Sequence, residues 1–483
     1  MAVQATPGFD LQPSATQIPT ATNYITNFNF LNQYLPDTYE KEFERYGNRT
    51  IASFLRLVGA EMPSNSDLIK WAEQGRLHTK YVNVGTAALV NADTAVFQVN
   101  DNLAPAGSTA GALGTAEIAL RVGQTVMVVQ NNGSGSNKGI VTLVNSGAAA
   151  GPKQFQVAFY EAGGLVTAGT GVGNADVSVF IYGSEFKKGT EGMSGSLEAD
   201  DMIFENSPII LKDKYAVSGS DMAQIGWIEV TTENGANGYL WYLKSEHETR
   251  LRFDDYLETA MIEAVPAEAA GGAIAAGFKG SEGIFYSVEN RGNVWSGGNP
   301  VALADFDAII SRLDKQGSIE ENVIFLDRQF GFDIDDMLAA QNSYGAGGTS
   351  YGLFDNDEEM ALNLGFTGFR RGYDFYKSDW KYLNDPTMRG GLPTGAGSGR
   401  VNGLLVPAGS TTVYDQILGK NAKRPFLHVR YRASETEDRR YKTWITGSAG
   451  GARTSDLDAM EVNFLSERAV CTLGANNFFL FQE

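Results

Sequence analysis

Side-chain types alternate along the C-terminal segment 424–483, and this alternation limits the folds that the chain can adopt. Between 426 and 432, a Phe, a His and two Arg residues alternate with Leu427, Val429 and Tyr431. The segment closes with AMEVNFLSERAVCTLGANNFFLFQ, in which apolar residues predominate. A period of two is typical of β-strands, and large side chains at both sets of positions indicate neighbours on both faces. We therefore expect long antiparallel strands that close a domain and carry no catalytic constellation.

Length and charge restrict the class of protein. A chain of 483 residues exceeds one ordinary core, so we expect about two to four domains. The 56 glycines exceed the average share of about 7% and indicate many turns, as in a β-rich protein. A formal net charge of −19 argues against a surface that grips nucleic acid, because binding phosphates needs an excess of Lys and Arg. The charge suits a protein that must stay soluble at high concentration.

Cysteine usage and the N-terminus bear on the compartment. Cys471 is the only cysteine, so an intrachain disulfide and a thiolate-rich zinc site are excluded. Its place in a strand predicts a buried, inert thiol. The sequence has no apolar run of about 18 residues, so we expect no transmembrane helix. The first residues lack the basic and apolar regions of a signal peptide, and we expect synthesis in the cytosol.

For residues 1–78 the sequence predicts an N-terminal arm followed by helices. Aromatic residues are spaced along the second half of a polar segment, 1–35, that has too little apolar surface to fold alone. We favour an arm that docks on a neighbouring subunit over a frayed tail, and the docking candidates are Tyr24, Phe28, Phe30 and Tyr34. Asp37 with Glu40 predicts a helix start. Ser64 with Asp67 predicts a second, short helix that carries Leu68, Ile69 and Trp71.

Residues 79–187 differ in character, since charged residues are sparse and strand-like runs recur between Gly-rich turns. The runs are TAVFQV, IALRV, TVMVVQ, GIVTLV, QFQVAFY and VSVFIY. Short strands at this spacing predict a small antiparallel barrel or sandwich, inserted as a separate domain. We expect its core to contain Phe97, Val99, Val126, Val128, Phe155, Val157, Phe159, Val179 and Ile181.

The central part of the chain contains the strongest helical patterns. Residues 188–240 predict a long extended hairpin with Lys212 and Lys214 at its polar tip. Residues 241–345 open with the longest helical pattern, whose apolar stripe includes the core candidates Phe253, Leu257 and Met261. They continue with a helix from about Pro300 to Gln316, capped by Gly317, then with the buried strand NVIFLD and the helix RQFGFDIDDMLAA. Residues 346–423 are rich in turns and aromatic residues, and residues 424–483 hold the closing strands.

The sequence predicts no catalytic, cofactor or metal site. The loop GAGSGR lacks the ending of a phosphate-binding loop, and position 251, where a metalloprotease helix needs His, is Leu. The acidic residues at 355–359 lack the pattern of an EF-hand, so we favour a solvated turn over a Ca²⁺ site. Arg370, Arg371 and Trp380 belong to a stretch of basic and aromatic residues. Nucleic-acid stacking is one interpretation, and a contact between subunits is the one we favour.

The ending SERAVCTLGANNFFLF resembles that of the major capsid proteins of tailed double-stranded DNA phages, most closely the crAss-like and T-even-like groups. The order of segments is also similar to the Hong Kong 97-type fold, an α+β fold. By this resemblance, 1–78 holds the N-arm, 188–240 the E-loop, 241–345 the peripheral domain with its spine helix, and 346–423 the axial domain. The closing strands 424–483 return to the peripheral domain. The inserted small antiparallel β domain departs from the minimal fold.

The resemblance implies a structural protein and no enzyme. Such a chain self-assembles as hexamers and pentamers into the icosahedral head that encloses phage DNA, which it contacts without sequence specificity. Implied partners are portal, scaffolding and auxiliary or decoration capsid proteins, with no membrane and no cofactor. The implied location is the virion, after synthesis in the host bacterial cytoplasm. The alternatives are another virion structural protein, such as a tail or decoration component, and a β-rich hydrolase.

Overall fold

A computed structural model describes the chain in segments. The described residues are 3–5, 9–11, 60–74, 80–91, 93–99, 118–131, 135–145, 154–163, 177–196, 201–224, 229–231, 237–296, 298–341, 368–393, 399–415, 420–451 and 453–483. Several predictions lie outside them: the arm aromatics Tyr24, Phe28, Phe30 and Tyr34, the helix from Asp37, and the acidic turn at 355–359.

The described residues form 25 strands and seven α-helices. The strands are β1 Val3–Ala5, β2 Phe9–Leu11, β3 Ala60–Ser64, β4 Ile69–Gln74, β5 Lys80–Asn91, β6 Thr94–Val99, β7 Gln124–Gln130, β8 Ser136–Val144, β9 Gln154–Phe159, β10 Val177–Ser184, β11 Asp201–Asn206, β12 Ile209–Ser218, β13 Glu229–Thr231, β14 Asn237–Tyr239, β15 Asn293–Ser296, β16 Glu321–Leu326, β17 Gly368–Arg371, β18 Tyr373–Asp379, β19 Val401–Pro407, β20 Ser410–Asp415, β21 Lys420–Pro425, β22 Leu427–Arg432, β23 Lys442–Gly447, β24 Ala459–Thr472 and β25 Phe479–Gln482. The helices are α1 Gly219–Gln224, α2 Leu240–Glu263, α3 Gly272–Ala275, α4 Ile284–Arg291, α5 Leu303–Gln316, α6 Arg328–Gln341 and α7 Lys381–Asn384.

The chain divides into two compact units, and the smaller one, Ala72–Ile203, contains a closed barrel. Its strand order is β10-β5-β6-β9-β8-β7, and every neighbouring pair is antiparallel. Closure leaves no sheet edge within the barrel, and the inward side chains fill it with apolar atoms. The rings of Phe97 and Phe155 stack there, with centroids 5.7 Å apart.

Most sequence predictions for this barrel are confirmed. Five of the six predicted runs are strands, and eight of the nine predicted core residues are buried, while Phe159 is partly buried against them. The prediction that IALRV forms a strand is wrong, because this segment turns at Gly123, which has a φ of 91°. The N–H of Ala119 instead donates to the hydroxyl of Tyr81 at 2.8 Å, and Leu120 enters the core.

The larger unit is built from Met1–Trp71 and Phe204–Glu483 and contains two principal sheets. In the five-stranded sheet, the order is β12-β24-β22-β3, and β23 also pairs with β24. The central strand β24 is 14 residues long, and most of its side chains on both faces are buried. The predicted closing strands at 427–432, 442–447 and 459–472 are therefore confirmed as strands.

The six-stranded sheet has the order β15-β25-β19-β16-β18-β17 and is covered on both faces. Alternate residues of β16 enter different cores: Ile324 joins the cluster of α5 and α6, while Phe325 joins the cluster of α4 and Trp380. The predicted strand NVIFLD and the predicted helix from Arg328 are confirmed. Helix α5 begins at Leu303, not at Pro300, because the Asp305 carboxylate accepts hydrogen bonds from the N–H groups of residues 301 and 302.

Two predictions for the larger unit are wrong in the same way. The predicted short helix at 64–75 is the strand β4, in which Ile69 is buried against Ala469 and Cys471 while Lys70 is exposed. The run at 209–218 is not one arm of a free hairpin, since it pairs along its whole length with residues 459–468 of β24. In both segments the side chains have a period of two, and pairing with a distant strand decides the structure.

Candidate assembly surfaces

Helix α2 is held by two separate cores. Phe253 and Leu257 are buried against Met460, Val462 and Phe464 of β24. The ring of Phe253 lies 5.7 Å from that of Phe464 and 5.4 Å from that of Tyr441. Two turns after Phe253, Met261 is buried in the other core, which contains residues of α4, β19 and β22. The three core candidates on this helix are thus inside the larger unit.

The C-terminal end of α2 is fixed by an ion pair. The Arg389 guanidinium binds both oxygens of the Glu263 carboxylate, at 2.5 and 2.6 Å, and lies 5.1 Å from the centroid of Phe285. The hydroxyl of Tyr382 donates to the same carboxylate at 2.5 Å. Burial and this hydrogen bond raise the pKa of Tyr382 above its usual range. The end of the helix is therefore connected to a segment more than 110 residues further along the chain.

An exposed apolar lobe, residues 264–280, follows the helix directly. Pro266 and Gly280 bridge its base, where the N–H of Ala267 donates to the carbonyl of Lys279 at 2.9 Å. No residue of the lobe is buried, and its short helix α3 buries no side chain. Phe278 is 69% exposed, the highest value among the large apolar side chains of the described segments. A defined loop with this surface is typical of an interaction site.

A groove of about 430 Å³ lies between α2 and β12. Leu211, Tyr256 and Ala260 provide most of its apolar lining. Lys212, Thr259 and Glu263 complete it. Its volume falls in the range of roughly 300–1,000 Å³ found for pockets that take small ligands, so it has room for one or two apolar side chains.

Lys212 and Lys214 lie on β12, an edge strand, and not at a hairpin tip as the sequence predicted. Both side chains are exposed, because inward positions of this strand alternate with outward ones. Lys214 forms a 3.1 Å salt bridge with Glu461 on the neighbouring strand. Charged residues on an edge strand oppose unspecific strand pairing.

The basic and aromatic stretch near 370 separates into two sets. Trp380 is 4% exposed and packs against Phe285 and Phe325, so it is a core residue and not the surface contact that we expected. Arg371 pairs with Asp307, and its second hydrogen bond to that carboxylate is 2.8 Å long. Arg370 is exposed and pairs with Asp374 at 3.1 Å. Of Arg370, Arg371 and Trp380, only the two arginines are thus at the surface.

Cysteine, histidine and acidic side chains are the residues that metal sites and many catalytic sites use. No group of three or more His, Cys, Asp or Glu side chains in these segments could hold a metal ion. Cys471 is buried, as predicted. His428 is also buried, and its Nδ1 lies 3.3 Å from the carbonyl oxygen of Pro425. In the described segments, no helix is long and apolar enough to cross a membrane.

The sequence reasoning missed the lobe and the groove. The lobe had a recognisable signal, since ten uncharged residues from Ala269 to Phe278 follow a helix without joining any periodic pattern. The groove had none, because Leu211 and Tyr256 come together only when β12 joins the sheet under α2.

Comparisons with known proteins give distant structural similarities. No protein-family model and no curated protein matches the chain. The chain is similar to a structure from Microbacterium phage Oxtober96, with 10% identity, a TM-score of 0.38, and coverage of 94% of this chain and 96% of that one. It is also similar to the capsid of a native GTA particle, with 8% identity, a TM-score of 0.37, and coverage of 95% and 99%. For the mature capsid of bacteriophage PhiM1, the identity is 10%, the TM-score 0.32 and the coverage 62% and 78%. TM-scores this low do not establish a shared fold.

Proposed function

We propose that this chain is a structural subunit of a phage head, of the Hong Kong 97 type, which assembles as hexamers and pentamers into an icosahedral shell around double-stranded DNA. It works in the virion after synthesis in the host bacterial cytoplasm. Its partners are further copies of itself and portal, scaffolding and auxiliary capsid proteins. Its role is mechanical and not enzymatic.

One observation supports this proposal most directly. The resemblance is carried by residues 186–266 and 424–483. Within them, the segments 209–218, 240–263 and 459–472 come together as one sheet with one long helix packed on it. The two paired strands are about 250 residues apart in sequence, so none of the three segments alone requires this arrangement. A stiff helix on a sheet suits a wall element, because its packed core resists deformation.

The surface of the larger unit is also suited to repeated contacts. It carries an apolar lobe, an apolar groove and exposed arginines at 370 and 371, and aromatic and Arg side chains are frequent in interface hot spots. Many weak contacts of this kind add up to a stable shell when each subunit makes several at once.

Expression of the full chain, followed by size-exclusion chromatography and negative-stain microscopy, tests the proposal. Rings or closed shells of uniform diameter are the expected result. Threads or tubes would favour the tail or decoration alternative. A protein that remains monomeric at high concentration and hydrolyses a substrate from a generic panel would refute a shell function.

A further inference from the structure

The apolar lobe has the composition of a contact element. From Ala269 to Phe278 it has no charged residue, and its large side chains, Ile274 and Phe278, point away from any core of the described segments. The bridge at Pro266 and Gly280 holds its base in place. The lobe therefore offers apolar surface that is already ordered, so little conformational entropy is lost when it is covered.

The groove between α2 and β12 matches the lobe in polarity. It is lined mainly by the apolar residues Leu211, Tyr256 and Ala260, and no residue of the lobe contributes to it. The lobe of the same chain thus leaves the groove open, although the two features lie at the same end of one helix.

The charges at the two surfaces are also complementary. Glu268 stands just before the apolar run of the lobe, and Lys212 lines the groove; both side chains are exposed. Within the described segments, neither side chain takes part in a salt bridge. A carboxylate and an ammonium group at the margins of two apolar surfaces favour one register of contact and disfavour others.

We infer that the lobe of one copy of this chain docks into the groove between α2 and β12 of a second copy, with Phe278 and Ile274 in the groove and Glu268 beside Lys212. This inference rests on the proposed function, since it requires that copies of the chain assemble. Lobe and groove are different surfaces, so the contact is head-to-tail. Contacts of this kind close into rings when the rotation between copies permits it.

Charge reversal tests the register of this contact. In the full-length protein, Lys212→Glu and Glu268→Lys should each raise the protein concentration needed for assembly, by roughly tenfold or more. The double variant, K212E with E268K, should restore assembly to near the wild-type concentration, because the opposite charges face each other again. Light scattering measures assembly, and urea unfolding of the monomer should be the same for all four proteins.

Substitution of the apolar residues tests the docking itself. Phe278→Ser should impair assembly at least as strongly as either charge reversal. Phe332→Ser is a matched control, because Phe332 is also an exposed Phe of the larger unit, 52% exposed, and belongs to α6 and neither to the lobe nor to the groove lining. Equal losses for the two serine variants, or no rescue by the double charge reversal, would overturn the inference. If wild-type chains stay monomeric, the proposed function fails; if wild-type and Phe278→Ser chains assemble equally well, this inference alone fails.

Discussion

Replacing Phe253 by Ala should strongly destabilise the larger unit while leaving its assembly surface intact. Phe253 is completely buried between α2 and the five-stranded sheet, and it contacts the rings of Tyr441 and Phe464. A buried Phe removes about 150–250 Å² from water, which at about 25 cal/mol per Å² gives roughly 4–6 kcal/mol. Measured Phe→Ala substitutions in cores cost about 3–5 kcal/mol. We therefore expect a loss of about 4 kcal/mol in the free energy of unfolding.

Tryptophan fluorescence during urea unfolding isolates this effect. The six tryptophans are at positions 71, 227, 241, 295, 380 and 444, all outside the barrel unit Ala72–Ile203. The fluorescence transition therefore reports the larger unit alone. Its midpoint should fall while its slope with urea stays constant, because the substitution changes stability and not the surface exposed on unfolding.

Tyr256→Ala provides the matched control for this experiment. Tyr256 lies on the same helix but is 47% exposed and lines the groove, so its loss should cost about 1 kcal/mol or less. Phe253→Ala should thus mainly lower the free energy of unfolding, whereas Tyr256→Ala should mainly impair assembly. Equal unfolding free energies for both would refute the placement of α2 on the sheet.

Three further outcomes are expected. Residues 72–203 expressed alone should melt cooperatively with the circular dichroism of a β protein, because their barrel is closed and has its own core; a disordered spectrum would contradict this. Burial and the hydrogen bond to Glu263 raise the pKa of Tyr382, so the folded state holds this proton more firmly than the unfolded state, whose pKa is about 10. The free energy of unfolding of the larger unit should therefore fall as pH rises above about 10, and less steeply in Tyr382→Phe; identical slopes would contradict the contact. Deletion of residues 1–35 should leave a folded, soluble subunit that does not close shells, and normal shells from the truncated protein would show that the arm is dispensable.

Local patterns in the sequence predicted individual helices and strands better than they predicted which strands pair with each other. The periods at 240–263, 328–341 and 321–326 were sufficient for two helices and a strand, because burial and intrinsic preference agree there. The run at 209–218 has the same period of two in a hairpin as in a sheet, and nothing local shows that its partner lies at 459–468. The short strand at 69–74 was mistaken for a helix for the same reason.

The aromatic stretch near 370 could have been interpreted correctly from the same rule. Phe369, Tyr373 and Phe375 are buried, whereas Arg370 and Tyr376 are exposed, as strand alternation requires on either side of the turn at Gly372. Grouping these residues by type suggested one contact surface, while grouping them by face separates a core from a surface. The lobe and the groove are a different case from this stretch. Whether their residues form a contact surface depends on which side chains remain exposed after the chain folds.

The ion pair at the end of α2 connects the core of the larger unit to its proposed assembly surface. Apolar packing of Phe253 and Leu257 holds the helix against the sheet but is non-directional, so it tolerates small shifts along the helix axis. The bidentate pair of Glu263 and Arg389 is directional, and Tyr382 adds a third hydrogen bond to the same carboxylate. Glu263 is both the last residue of the helix and part of the groove lining, and the lobe begins at the next residue. One partly buried contact thus sets the positions of both surfaces that we propose to meet between copies. A ring needs such fixed positions, because every contact in it must have the same geometry.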